Sequence, residues 1–158
     1  MRKFVVAGAA ALAIAMSAGA ASAKDLPAGG LTIEELASWM QSKGLTATIA
    51  KSSSGERYIQ SSAEDVNFDV WMMDCGDKPR CASIEIQAGF DMSKGTTLKV
   101  VNDWNGSKRY VTSWLDNEND PWIKMEINLS PGVTYEALED NFGVWVSMIP
   151  DFKTHINW

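Results

Sequence analysis

The chain has 158 residues and carries 14 Lys and Arg against 20 Asp and Glu, a net charge of −6. That length suits one domain, and the acidic balance repels phosphate backbones and anionic lipid, which argues against nucleic-acid or membrane-surface partners. Seven tryptophans stand beside only two cysteines and one histidine, so metal or His-based chemistry has few side chains to draw on.

The chain opens with the features of a cleavable signal peptide, Met1–Ala23. Arg2 and Lys3 give a positive start, Phe4 to Met16 is an uncharged apolar run, and Ala21-Ser22-Ala23 sets small residues around a cut after Ala23. Ala18-Gly19-Ala20 is a second candidate cut. The run is shorter than the ~20 apolar residues that cross a bilayer, and no later segment is long enough. No stable membrane insertion is therefore expected after cleavage. Losing Arg2 and Lys3 takes the net charge from −6 to −8. The expected location is the periplasm or the cell exterior, with residues 24–30 as a short leader and 31–158 as a single domain.

The first helix is signalled by Thr32-Ile33-Glu34-Glu35, which reads as a capping box, with Leu31 and Leu36 as a hydrophobic staple. Ile33, Leu36, Ala37 and Met40 recur at helical spacing, and Gly44 is a natural stop. Strand character follows at Thr46–Ala50 and Arg57–Ser61, on either side of the turn Ser52-Ser53-Ser54-Gly55. Phe68, Val70 and Met72 then alternate with Asn67, Asp69, Trp71 and Met73. Ile84, Ile86, Ala88 and Phe90 alternate in the same way with Ser83, Glu85, Gln87 and Gly89. Period two on both sides of a tight loop predicts adjacent antiparallel strands.

That loop is Cys75-Gly-Asp-Lys-Pro-Arg-Cys81. An oxidising compartment favours pairing of Cys75 with Cys81, worth about 2–2.5 kcal/mol in the chain-entropy picture. The spacing is not the two-residue gap of thioredoxin-like redox sites, and no neighbour is placed to lower a thiol pKa. A structural disulfide is favoured over a redox pair.

A second helix is predicted from about Thr96 to Trp104, with Leu98, Val101 and Trp104 on one face and Asn105-Gly106 as its end. Two strands follow, Arg109–Leu115 and Trp122–Leu129, joined by the acidic tip Asp116-Asn117-Glu118-Asn119-Asp120. The last helix opens at Thr134. Leu138, Phe142, Trp145, Val146 and Ile149 form its buried stripe, and Pro150 is expected to break or kink it. The order α-β-β-β-β-α-β-β-α is α+β, an antiparallel β-sheet flanked by helices.

Several features resemble one known family: the Gly-ended first helix, the Cys-x5-Cys loop between strands, and Asn102-Asp103-Trp104-Asn105 followed by Arg109-Tyr110. The acidic hairpin and the Thr-capped terminal helix complete the pattern. Together they resemble the YbjN family, described as bacterial sensory transduction regulators, over Leu31 to Ile156. The resemblance implies a type III secretion chaperone-like fold and an interaction domain without catalytic residues. Chaperones of that fold are often dimers, so it also leaves a homodimer open. A signal peptide departs from the cytoplasmic setting common in the family and argues against a direct role in transcription.

Candidate chemistry is sparse. Asp116-x-Glu118-x-Asp120 has the start of a calcium loop, but Pro121 stands where an EF-hand wants Gly and Ile127 where it wants Glu. A solvated hairpin tip is the favoured reading. His155 has no second histidine and no nucleophile elbow to work with. Asn102, Trp104, Asn105 and Arg109 have the groups to grip a peptide or sugar. They also fit a structural role, with Trp104 closing a helix face, Asn105 in a left-handed cap and Arg109 paired to an acidic neighbour, and that role is favoured.

Trp71 shares its strand face with Asn67 and Asp69, and Trp122 shares its own with Lys124 and Glu126. With the opposite faces as core, both indoles stand on the outer sheet surface, either as a contact site or beneath a helix or second subunit. The expectation is a non-enzymatic, chaperone- or adaptor-like protein-interaction module with no cofactor and no metal. A binding module for a small-molecule or saccharide ligand is the alternative.

Overall fold

The computed structural model describes residues 23–158. The expected signal peptide, Met1–Ala23, lies outside these residues but for its last. The first helix, α1, spans Ile33–Ser42 and opens with a reciprocal capping box: Thr32 Oγ1 accepts from the Glu35 amide while the Glu35 carboxylate accepts from the Thr32 amide. Leu31 and Leu36 are both fully buried, as a staple requires.

Four strands follow, β1 (Thr48–Lys51), β2 (Arg57–Ala63), β3 (Val66–Met73) and β4 (Ser83–Gly89). Then come α2 (Leu98–Ser107), β5 (Thr112–Leu115), β6 (Pro121–Asn128) and α3 (Tyr135–Ile156). The six strands form one antiparallel sheet in the order β1-β2-β3-β4-β6-β5. β6 pairs with β4, and β5 folds back to the edge. The α+β class and element order expected from the sequence are those of the molecule.

Register decides which face is which. Ile59, Val70, Ile86 and Met125 stand in one row across β2, β3, β4 and β6, and all four are buried. The helices lie against this inner face. Phe68 of β3 meets Trp145 of α3 edge-on at 5.7 Å, and Trp39 of α1 meets Phe142 of α3 at 5.1 Å. Each such buried side chain contributes about 1.5–3 kcal/mol of transfer free energy.

Several local expectations are corrected. The terminal helix runs on through Pro150 to Ile156. Phe152 and Ile156, both buried, continue its stripe, and burying the pair, at about 1.5–3 kcal/mol each, offsets the ~3 kcal/mol cost of an interior proline. Val146, placed in that stripe, is only half-buried. In α2, Asn105 and Gly106 do not end the helix; it continues to Ser107, and Asn105 takes no left-handed cap. Arg109 and Tyr110 precede the strand instead of opening it. Tyr110 has a φ of 72°, so the chain turns there before β5 begins at Thr112.

Candidate functional site: the uncovered face of the sheet

Alternation puts the other half of each strand on the outer face. One outward row runs Tyr58, Trp71, Glu85, Glu126, and the next runs Gln60, Asp69, Gln87, Lys124, Thr112. None of these nine side chains is buried. All three helices keep to the inner side or to the β5 edge, so a broad strip of sheet is open to solvent.

Trp71 and Trp122 both stand on this strip, each half-buried against an aromatic neighbour. Trp71 lies parallel to Tyr58, with ring centres 4.5 Å apart and planes 13° from each other. Trp122 stacks with its cross-strand partner Trp114 at 5.8 Å. Such pairs are worth about 0.5–1.5 kcal/mol beyond their burial. The Trp122 ring also lies across Gly89 of β4, where an added Cβ would sit 2.6 Å from its Cε2 atom. Glycine at 89 is what lets the indole lie flat.

The acidic hairpin tip holds that ring from the side. Asp116 accepts the Trp122 Nε1–H at 3.0 Å, and its other oxygen accepts the Glu118 and Asp120 amides at 2.9 Å each. These donors hold the Asp116 carboxyl below its usual range, the Trp122 contact first among them. The Asp116-x-Glu118-x-Asp120 segment thus folds its own turn and orients an aromatic wall. Nothing in its spacing announced the second task.

Beside the wall runs a groove of about 430 Å³, lined by Gln60, Asn67, Asp69, Gln87, Gly89 and Trp122, with Asp91, Asp116, Glu118 and Asp120 around its end. Asp69 sits near the middle of the sheet. Burial alone pushes its carboxyl above the usual range, and no donor or cation acts on it among the described residues. Among the described residues Lys124 is the single cation at an outward strand position, and it is bound by Glu85 at 2.6 Å and Glu126 at 3.2 Å. Those carboxylates, Glu85 foremost, raise its pKa.

The other singled-out residues lie away from this strip. Trp104 is fully buried, and its Nε1–H donates to Val111 O at 3.0 Å. The Asn105 amide serves the β5 edge as a surrogate strand: Nδ2 donates to Ser113 O at 2.9 Å, and Oδ1 accepts the Ser113 amide at 2.7 Å. Asn102 and Arg109 are exposed. Arg109 meets no carboxylate among the described residues; its guanidinium stands over the Tyr110 ring at 5.1 Å. His155 Nε2 is 2.8 Å from Val100 O and packs on Trp104 and Phe152, tying α3 to α2.

Cys75 and Cys81 are at disulfide distance, with sulfurs 2.15 Å apart. Their loop is fastened to the head of α1. Cys81 exchanges backbone hydrogen bonds with Leu31, and Arg80 grips both Glu35 oxygens at 2.5 and 2.6 Å. That fork lowers the Glu35 pKa. Sequence spacing did not reveal the Arg80–Glu35 link, because its partners are 45 residues apart.

The YbjN family model, "Putative bacterial sensory transduction regulator", matches residues 32–158. The crystal structure of YbjN from E. coli is similar at a TM-score of 0.51 and 17% identity, over 80% of this chain and 88% of that one. The Yersinia pestis type III secretion chaperone SycH, solved in complex with a fragment of YscM2, aligns at a TM-score of 0.47 and 10% identity, over 72% of this chain and 92% of that one. No curated protein matches the chain. At 17% identity the likeness to YbjN speaks to the fold alone.

Proposed function

This chain belongs to the YbjN family, and we propose that it works as an exported, non-enzymatic protein-interaction module, chaperone- or adaptor-like. The observation that carries the proposal is the open outer strip with its two aromatic stacks, Tyr58–Trp71 and Trp114–Trp122. Aromatic side chains set on a rigid sheet are ready-made anchors, because they offer large contact area at little entropic cost. Export rests on the signal-peptide pattern of Met1–Ala23. N-terminal sequencing of the protein from a periplasmic fraction is expected to begin at Lys24; an uncut chain in the cytoplasm would overturn that part.

For the module itself, the test is capture of partners from cell-envelope extract by wild type and by a Trp71→Ser/Trp122→Ser variant, with folding of both followed by circular dichroism. Capture that weakens in the folded variant supports the strip as the binding face. Capture that is unchanged removes it. One observation favours a second reading, a saccharide or small-molecule binder: Trp122 lies flat beside the amides of Gln60, Asn67 and Gln87. A flat indole flanked by amides suits sugar rings. Titrating intrinsic tryptophan fluorescence with cell-wall oligosaccharides separates the two readings.

A further inference from the structure

We infer that the outer strip takes a basic protein segment, one that sets a Lys or Arg side chain over Asp69 and against the Trp122 wall. This inference rests on the protein-interaction reading above and adds the chemistry of the partner.

Charge complementarity singles out the occupant. At the outward strand positions the carboxylates of Asp69, Glu85 and Glu126 face one cation, Lys124, which Glu85 and Glu126 already hold. Among the described residues Asp69 has neither donor nor cation, and it lines the same groove as Trp122. At the groove's end Asp116 is bound up in its turn, while Asp91, Glu118 and Asp120 add negative charge without a positive side chain in the lining. A partly desolvated carboxylate beside the face of an indole is the environment that suits an ammonium or guanidinium group. The carboxylate supplies an ion pair, and the ring supplies a cation–π contact of about 0.5–2 kcal/mol. An acidic segment would be repelled by the same groove, and a neutral one would leave Asp69 without a partner. The aromatic stacks add apolar area on both sides of Asp69, which favours a chain of several residues over a bare amine.

The test uses the purified protein and short fluorescent peptides in which Ser alternates with Lys, Gln or Glu, read by anisotropy. The Lys peptide is expected to bind about tenfold or more tighter than the Gln peptide at low salt, with the advantage shrinking as salt rises. The Asp69→Asn variant should lose most of that advantage. Asp77→Asn, which removes the same charge from the exposed cysteine loop, should keep it. Trp122→Ser should weaken the Lys peptide in either salt.

Equal binding of the Lys and Gln peptides would overturn the cationic partner while leaving the protein-interaction reading in place. Lys-peptide binding that survives in both Asp69→Asn and Trp122→Ser would overturn the site. Failure of every peptide, with quenching by cell-wall oligosaccharide, would overturn both this inference and the reading beneath it.

Discussion

The two faces of one sheet are built from alternate residues of the same strands, yet they follow different rules. The inner face is aliphatic and aromatic, covered by α1 and α3, with Ile59, Val70, Ile86 and Met125 in register. The outer face carries aromatic rings too, but in pairs, interleaved with amides and carboxylates, and nothing among the described residues covers it. An aromatic side chain inside a core is one of many contacts that can be repacked. Outside, each ring is fixed by a few specific contacts, Trp71 by Tyr58 and Trp122 by Gly89, Trp114 and Asp116. The difference separates residues that hold the fold from residues that the fold holds out.

The largest break in this comparison comes from the inner face. Trp145 is fully buried against Phe68, so Trp145→Ala should cost about 3–5 kcal/mol through lost burial and the cavity left behind. In urea titration its midpoint should fall far below wild type. Trp122→Ser on the outer face should cost a small fraction of that. Similar losses for the two would mean that the outer ring is also part of the core.

A smaller effect sharpens where the sheet ends. Asn105→Leu removes both hydrogen bonds to Ser113 and leaves the β5 edge without its surrogate strand, at a cost of about 1–2 kcal/mol. Faster amide exchange should be confined to β5 and its turn. Exchange spread through the central strands would show that Asn105 supports more than the edge.

The sequence made some of this legible and hid the rest for identifiable reasons. Period two in Asn67–Met73 and Ser83–Phe90 assigned the inner and outer side chains correctly, because register in an antiparallel sheet follows from alternation once one face is apolar. The capping box at Thr32 and Glu35 was equally readable, being a contact between near neighbours. Asn105 reads as a cap because an Asn-Gly pair usually ends a helix, and only the nearby β5 edge gives its amide better use. Pro150 reads as a break for a similar reason: its local cost is visible, while the burial of Phe152 and Ile156 that carries the helix past it depends on the sheet. The groove brings Asp69, Gly89 and Asp116 together, and no local pattern links them.

The finest distinction between the faces is made by Asp69, and it shows in how stability depends on pH. Burial raises the carboxyl's pKa in the folded protein, so the folded state holds its proton more tightly than the unfolded chain does. Stability then falls as pH rises through the window between the unfolded pKa of about 3.9 and the raised folded value, and the penalty persists at neutral pH. Glu35 and Asp116 act in the opposite sense. Their carboxyls are lowered by Arg80 and Trp122 respectively, so their contribution is present at neutral pH and is lost as pH falls through their folded values. Asp69→Asn removes only the first effect. The variant should melt above wild type at pH 7, and the two should converge near pH 3, where Asp69 is protonated folded or unfolded and both proteins still lose the Glu35 and Asp116 contributions. An inner-face residue replaced by a polar one would destabilise at every pH. A charge whose removal stabilises the fold is held for something other than the fold, and the cost of leaving Asp69 unpaired is what a bound cation would relieve. A variant that melts below wild type at pH 7 would show that Asp69 has a partner within the chain after all, and would leave the basic segment without its reason to bind.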